Sequence, residues 1–193
     1  MSDKMKTHIF ILLALILIMN GCLSDKHMEF EKIPINGTID NFANELIKSG
    51  FTNPQKLNDN QIKLSGVFLE RSCEIYVLGT NQNQTAYKVR VNLPFESKDL
   101  LESGFFEIQQ LYTSQYGNGL SRYHHYRNAD RFLFNEPKRI RELTQGDFTR
   151  FTTRTGVITL VVRVGYISIT YLDRKNGEIW KRESGEEDQI PVN

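Results

Sequence analysis

Three groups of side chains in this chain have the types that could do chemistry. His124 and His125 are adjacent imidazoles, the commonest metal-ligating group in proteins. On an extended segment adjacent side chains point to opposite faces, so this pair does not share one ion. His27 lies in a polar stretch with no fixed partner. Glu186-Glu187-Asp188 offers carboxylate oxygens, but a calcium loop spaces its ligands at alternating positions around a turn-forming glycine. That run reads as a solvated tail, and no metal or cofactor is expected. Cys73, in the run SCEIYVL, reads as a small buried residue of a strand. A reactive thiol would need an electropositive pocket. The chain has no Gly-x-Ser-x-Gly elbow, His-Glu-x-x-His helix, phosphate loop or Gly-x-Gly-x-x-Gly turn. An enzymatic reading is left with paired carboxylates assembled from distant positions, cutting an envelope or dietary polymer. The expectation is a non-catalytic protein.

The richest recognition chemistry lies between Arg122 and Arg154. Arg122, Arg127, Arg131, Lys138, Arg139, Arg141, Arg150 and Arg154 are set against Asp130, Glu136, Glu142 and Asp147, with Tyr123, Tyr126, Phe132 and Phe134 interleaved. Arginine with aromatics is an interface composition, and the guanidinium fork suits phosphate or carboxylate. Arg122, Tyr123, Tyr126, Arg127 and Arg131 form the expected interaction surface. Its partner would be an envelope protein, a glycan or a lipid head group.

Location is written in the first residues. Lys4 and Lys6 precede an apolar run from Ile9 to Met19, and small Gly21 precedes Cys22. Basic, apolar and small-residue segments in that order make an export signal. The run is about half the roughly 20 residues a membrane span needs. MKTHIF reads as the translational start. Met19-Asn20-Gly21-Cys22 resembles the lipobox of bacterial lipoproteins, with Met19 and Asn20 where that family prefers Leu and then Ala or Ser. The resemblance implies that the leader is removed at Gly21 and that Cys22 carries a diacylglycerol. Two or more acyl chains then hold the protein on a membrane, at about 0.8 kcal/mol per buried CH₂. The expected location is the cell envelope, with the outer membrane favoured and the domain in the periplasm or at the cell surface. Nucleic acid is no partner in that compartment.

Residues 1–21 form the leader, 22–32 a lipidated tether, 33–182 one domain and 183–193 a polar tail. Removal of the leader leaves 172 of the 193 residues, one domain's worth. The 22 lysines and arginines left balance 22 acidic residues, so net charge points to no polyanionic partner. With Cys22 acylated, Cys73 has no cysteine to pair with, and the core alone must hold the domain.

Periodicity supplies the elements. Ile39, Phe42, Ala43, Leu46 and Ile47 mark one helical face, capped by Thr38 and closed by Gly50. Asn53 to Asn60, containing Pro54, reads as a loop. Strands follow from Ile62, at Cys73–Leu78 and at Thr85–Leu93; in the last, Tyr87, Val89, Val91 and Leu93 alternate with Lys88, Arg90 and Asn92. Gly66 marks a bulge or a close approach in the first of these. Ser97 caps a second helix with a stripe of Leu101, Phe105, Ile108, Leu111, Tyr112 and Tyr116. Arg131–Phe134 is a candidate strand. Phe148–Arg154, Val157–Val164 and Tyr166–Leu172 are closely spaced antiparallel strands. Asn176-Gly177 reads as a turn, and Trp180 as a residue docking the end of the domain.

The order α-β-β-β-α-β-β-β, with room for one more strand, gives an α+β domain: antiparallel sheet, helices on one face, in an order that suggests a two-unit pseudo-repeat. The run IPINGT from Ile33, the Phe42/Leu46 helix ending in Gly50-Phe51, Cys73-x-Ile-x-Val, Tyr116-Gly117 and Ile169-Thr170-Tyr171-x-Asp173 are similar to a group of Bacteroidetes lipoproteins and secreted proteins of unknown function. The element order also looks like small outer-membrane assembly lipoproteins and the β-lactamase-inhibitor-protein fold. These resemblances imply a fold and bring no site residues.

Overall fold

The computed structural model of the chain describes residues 26–122 and 146–185. A short hairpin, β1 (Glu29–Phe30) and β2 (Ile33–Pro34), opens it. Helix α1 (Ile39–Lys48) follows, and then β3 (Thr52–Asn58), β4 (Gln61–Phe68), β5 (Arg71–Gly79) and β6 (Ala86–Pro94). Helix α2 (Lys98–Tyr116) leads into β7 (Leu120–Arg122), β8 (Phe148–Thr152), β9 (Gly156–Arg163) and β10 (Tyr166–Asp173). Helix α3 (Arg174–Ser184) closes the described chain.

The caps follow from local chemistry. Thr38 accepts the Asn41 amide and Ser97 the Leu100 amide, each satisfying a donor at a helix start. At the end of α1, Phe51 N–H donates to Leu46 O at 3.1 Å and Gly50 N–H to Ile47 O at 3.0 Å. This is the paired-bond stop in which a left-handed residue, here Gly50 at φ +104°, turns the chain out of the helix.

Strands β3 to β10 form one antiparallel sheet in the order β3-β4-β5-β6-β10-β9-β8-β7. The fold is α+β, as the sequence reading has it. The topology is a helix followed by a four-strand meander, used twice. The two meanders meet at a single seam where their last strands pair antiparallel, Val91 opposite Ile169. The expected two-unit order is therefore present, with four strands in each unit.

Register places one apolar row after another on the same face. Leu64, Ile75, Val91, Ile169 and Leu160 stand opposite one another across five strands and are fully buried. Ile39, Phe42 and Leu46 of α1 and Phe105, Ile108 and Tyr112 of α2 cover that face. Each large side chain so buried contributes about 1.5–3 kcal/mol. Phe30 enters the same core, with ring centroids 5.1 Å from Tyr171 and 5.3 Å from Phe68.

The first and last described segments are tied together at Asp173. This fully buried carboxylate accepts the Met28 amide at 2.6 Å and the Asn176 amide at 2.8 Å, and lies 3.2 Å from His27 Nδ1. Asn176 Nδ2 donates in turn to Ile35 O and Ala86 O.

Several expectations need correcting. Residues 53–58 are not loop but most of edge strand β3, and only Asp59 and Asn60 form a turn. An all-exposed polar strand gives no alternation to read, and Pro54 is tolerated because an edge strand has amides without partners. Asn176-Gly177 is not a turn; both residues lie in the first helical turn after the Asp173 cap. The helix runs on to Ser184, and Glu183, assigned to the tail, accepts the Gln82 amide at 3.1 Å. Met28 and Phe30, assigned to the tether, are core residues, and His27 has a partner. Leu111 is exposed, off the α2 stripe. At Gly66 the ladder is regular, and the reason for glycine is close approach: a Cβ there would lie 2.3 Å from the Phe51 ring. The candidate strand Arg131–Phe134 lies outside the described residues.

Candidate functional site

The second face of the sheet is where polar chemistry collects. Alternation sends Lys63, Tyr76, Arg90, Thr170, Thr159 and Arg150 to that face in one cross-strand row. The neighbouring row is Ser65, Glu74, Asn92, Ser168, Val161, Phe148 and Arg122. With Lys88 and Arg163 on the flanking rows, the described strands carry six cations on this face. Among the described residues Glu74 is the one carboxylate in these strands that points the same way.

That carboxylate is already engaged. Lys63 Nζ lies 2.5 Å from Glu74 Oε1, and the Tyr76 hydroxyl donates to Glu74 Oε2 at 2.9 Å. The hydrogen bond from Lys63, reinforced by Tyr76, holds the Glu74 carboxyl below its ordinary value. The same bond raises Lys63, and burial together with Glu74 raises Tyr76. All three groups therefore keep their usual charge states near neutral pH. Arg90 stacks its guanidinium 4.7 Å from the Tyr76 ring centre. Lys88 Nζ lies 5.2 Å from the Tyr87 ring and 5.4 Å from Trp180, which themselves stack at 5.1 Å.

Between β6, β10 and β9 the face dips into a trough of about 400 Å³. Lys88, Arg90, Arg163, Tyr166, Ser168 and Thr170 supply its polar walls, and among the described residues no carboxylate lines it. Arg90 Nε, Asn92 Oδ1 and Arg150 Nε on this face are shielded from solvent and have no hydrogen-bond partner. A buried polar atom left unpaired costs about 1–3 kcal/mol, a cost that a ligand or an ordered water removes. Guanidinium donors, an amide acceptor and hydroxyls laid out across about 15 Å of sheet, at about 4.8 Å per strand, suit an extended anionic, hydroxyl-rich molecule.

A larger depression of about 680 Å³ lies over Phe51, Gly66 and Cys73. Burial pushes the Cys73 thiol up to about 11, so it stays protonated and unreactive. Neither depression brings two carboxylates together.

No protein-family model, curated protein or solved structure matches this chain. Among the described residues no group of three histidine, cysteine or acidic side chains is placed to hold a metal, and no helix is long and apolar enough to cross a membrane.

Of the residues singled out from sequence, Arg122 is exposed at the end of β7, opposite Phe148 on the cationic face. Arg150 lies on that face too, with its guanidinium 5.8 Å from the Phe148 ring. Arg154 lies at the other end of β8, beyond the sheet face. Cys22, Tyr123, Tyr126, Arg127 and Arg131, as well as His124, His125 and Glu186 to Asp188, lie outside the described residues. Sequence reasoning missed Lys88, Arg90 and Arg163. The signal was present in the alternation of β6, whose water-facing positions read Lys, Arg, Asn.

Proposed function

We propose that this protein is a non-catalytic, lipid-anchored envelope protein that binds an anionic glycan across the second face of its sheet. The observation that carries the reading is that, among the described residues, the strands of that face present six cations against one carboxylate, with three shielded polar atoms that lack hydrogen-bond partners. Lipid attachment at Cys22 rests on the lipobox-like leader, and the likeness to Bacteroidetes lipoproteins rests on the residues quoted above. The balanced charge of the mature chain adds weight, because the cationic face is then a matter of placement.

Calorimetric titration with a carboxylated polysaccharide such as polygalacturonate, against neutral dextran, tests the ligand class. Binding to the acidic polymer only is expected, weakening as salt rises. Arg90→Ala with Arg163→Ala should weaken it at least about tenfold, the loss of one to two charge-assisted hydrogen bonds. Equal binding of the two polymers, or undiminished binding by the double variant, refutes the reading. Incorporation of labelled fatty acid into the wild type but not into Cys22→Ser tests the anchor.

A further inference from the structure

We propose that the ligand chain crosses the strands, and that the sheet face reads two of its anionic groups at a fixed separation. The inference rests on the anionic-glycan reading and adds to it the direction and the least length of the ligand. Register puts Arg90 of β6, Thr170 of β10, Thr159 of β9 and Arg150 of β8 side by side in one row. Two guanidiniums thus stand at the row's ends, three strand spacings or about 14 Å apart at the backbone, with a pair of hydroxyls between them. Lys63 does not extend the series, because Glu74 holds its ammonium at 2.5 Å.

The two arginines share their surroundings. Each is backed by a ring: Arg90 lies 4.7 Å from the centre of Tyr76, and Arg150 5.8 Å from that of Phe148. Each has its Nε shielded from solvent and without a hydrogen-bond partner. A guanidinium stacked on a ring has less freedom to lose when an anion arrives, so the spacing is built before the ligand comes. In the adjoining row Asn92 Oδ1, also shielded and unpaired, stands opposite Ser168, which is 5% exposed. An acceptor there calls for a donor, which a carboxylate lacks and a sugar hydroxyl supplies. Acidic groups therefore belong at the two ends of the row, and ring hydroxyls on the floor between β6 and β10. A pyranose repeats along a glycan at close to the spacing of strands in a sheet, about 4.8 Å. Four units laid across β6, β10, β9 and β8 bring an acid to each arginine, whereas two units reach only one. A chain lying along β10 in the trough would meet Arg163 in place of Arg150.

The test titrates the protein calorimetrically with digalacturonate and with tetragalacturonate. The wild type should bind the tetramer about tenfold or more tighter than the dimer, the worth of a second charge-assisted contact. Arg150→Ala should abolish that advantage, and Arg163→Ala should keep it. Equal affinity of the wild type for the two oligomers overturns the proposal, and that result needs no variant. An advantage that survives Arg150→Ala, or that Arg163→Ala erases, overturns it too, because the chain then does not follow the row. If the oligomers and polygalacturonate all fail to bind, the glycan reading falls and this one with it. If they bind without dependence on length, the fixed separation alone is wrong.

Discussion

Replacing Asp173 by alanine should cost about 3 kcal/mol. The carboxylate caps α3 through the Asn176 amide, and loss of such a cap costs about 1 kcal/mol. It also accepts the buried Met28 amide at 2.6 Å; an orphaned buried donor costs about 1–3 kcal/mol. In a domain of this size the combined loss lowers Tm by roughly 6–12 °C. Asp173→Asn separates the two parts. Asparagine is as good a cap as aspartate, but its amide nitrogen cannot accept from Met28. It should therefore lose only about 1–2 kcal/mol. Urea unfolding at constant slope gives the stabilities, and native-state hydrogen exchange at Met28 reports the tether directly. In both variants the Met28 amide should exchange faster relative to β9 and β10. A loss under about 1 kcal/mol for Asp173→Ala, with Met28 still protected, would show that the tether is held by Met28 and Phe30 packing alone.

Alkaline stability should report Cys73. Its thiol keeps a proton to about pH 11 when folded and loses it near pH 8.5 when unfolded, so this contribution is complete below about pH 8.5 and is lost as pH rises through 11. The urea midpoint should fall more between pH 8 and 10.5 in the wild type than in Cys73→Ala; equal falls would refute the assignment. Tyr112 and Tyr171 share a hydrogen bond between their buried hydroxyls, and burial raises both. Tyr112→Phe should cost about 1–2 kcal/mol by orphaning Tyr171, while the double Phe variant costs no more than the single. Additive losses in that cycle would mean that the hydroxyls do not depend on each other.

How far the sequence speaks depends on what each element faces. Helices α1 and α2 and strands β4 to β6 and β8 to β10 bury one side, so their apolar residues recur with a readable period. Strand β3 buries nothing and is held by ladder bonds to β4 alone, so TNPQKLN carries no trace of it. Three-residue β7 is too short to show a period. Helix α3 was hidden by its Asn-Gly pair, a turn signal overruled by the Asp173 cap and by the Asn176 side chain, which is spent on the Ile35 and Ala86 carbonyls. The candidate site was half legible. Arg122 and Arg150 stand out by crowding, whereas Arg90 and Arg163 lie 73 residues apart and meet only because β10 brings β6 and β9 to its two sides.

The seam between β6 and β10 also sets an order of events. Each meander is built from neighbours in sequence and can zip locally. Their union needs residues 86–94 to find residues 166–173, a contact of high sequence separation and a slow step in folding. The Asp173 bonds to Met28 span 145 residues and form only when β10 is in place. A chain emerging N-terminus first thus keeps the inner edge of β6 unpaired until β10 has emerged. Closure of the sheet therefore waits on the synthesis of β10, and a product truncated before Tyr166 is left with an apolar strand edge for proteases or chaperones to find.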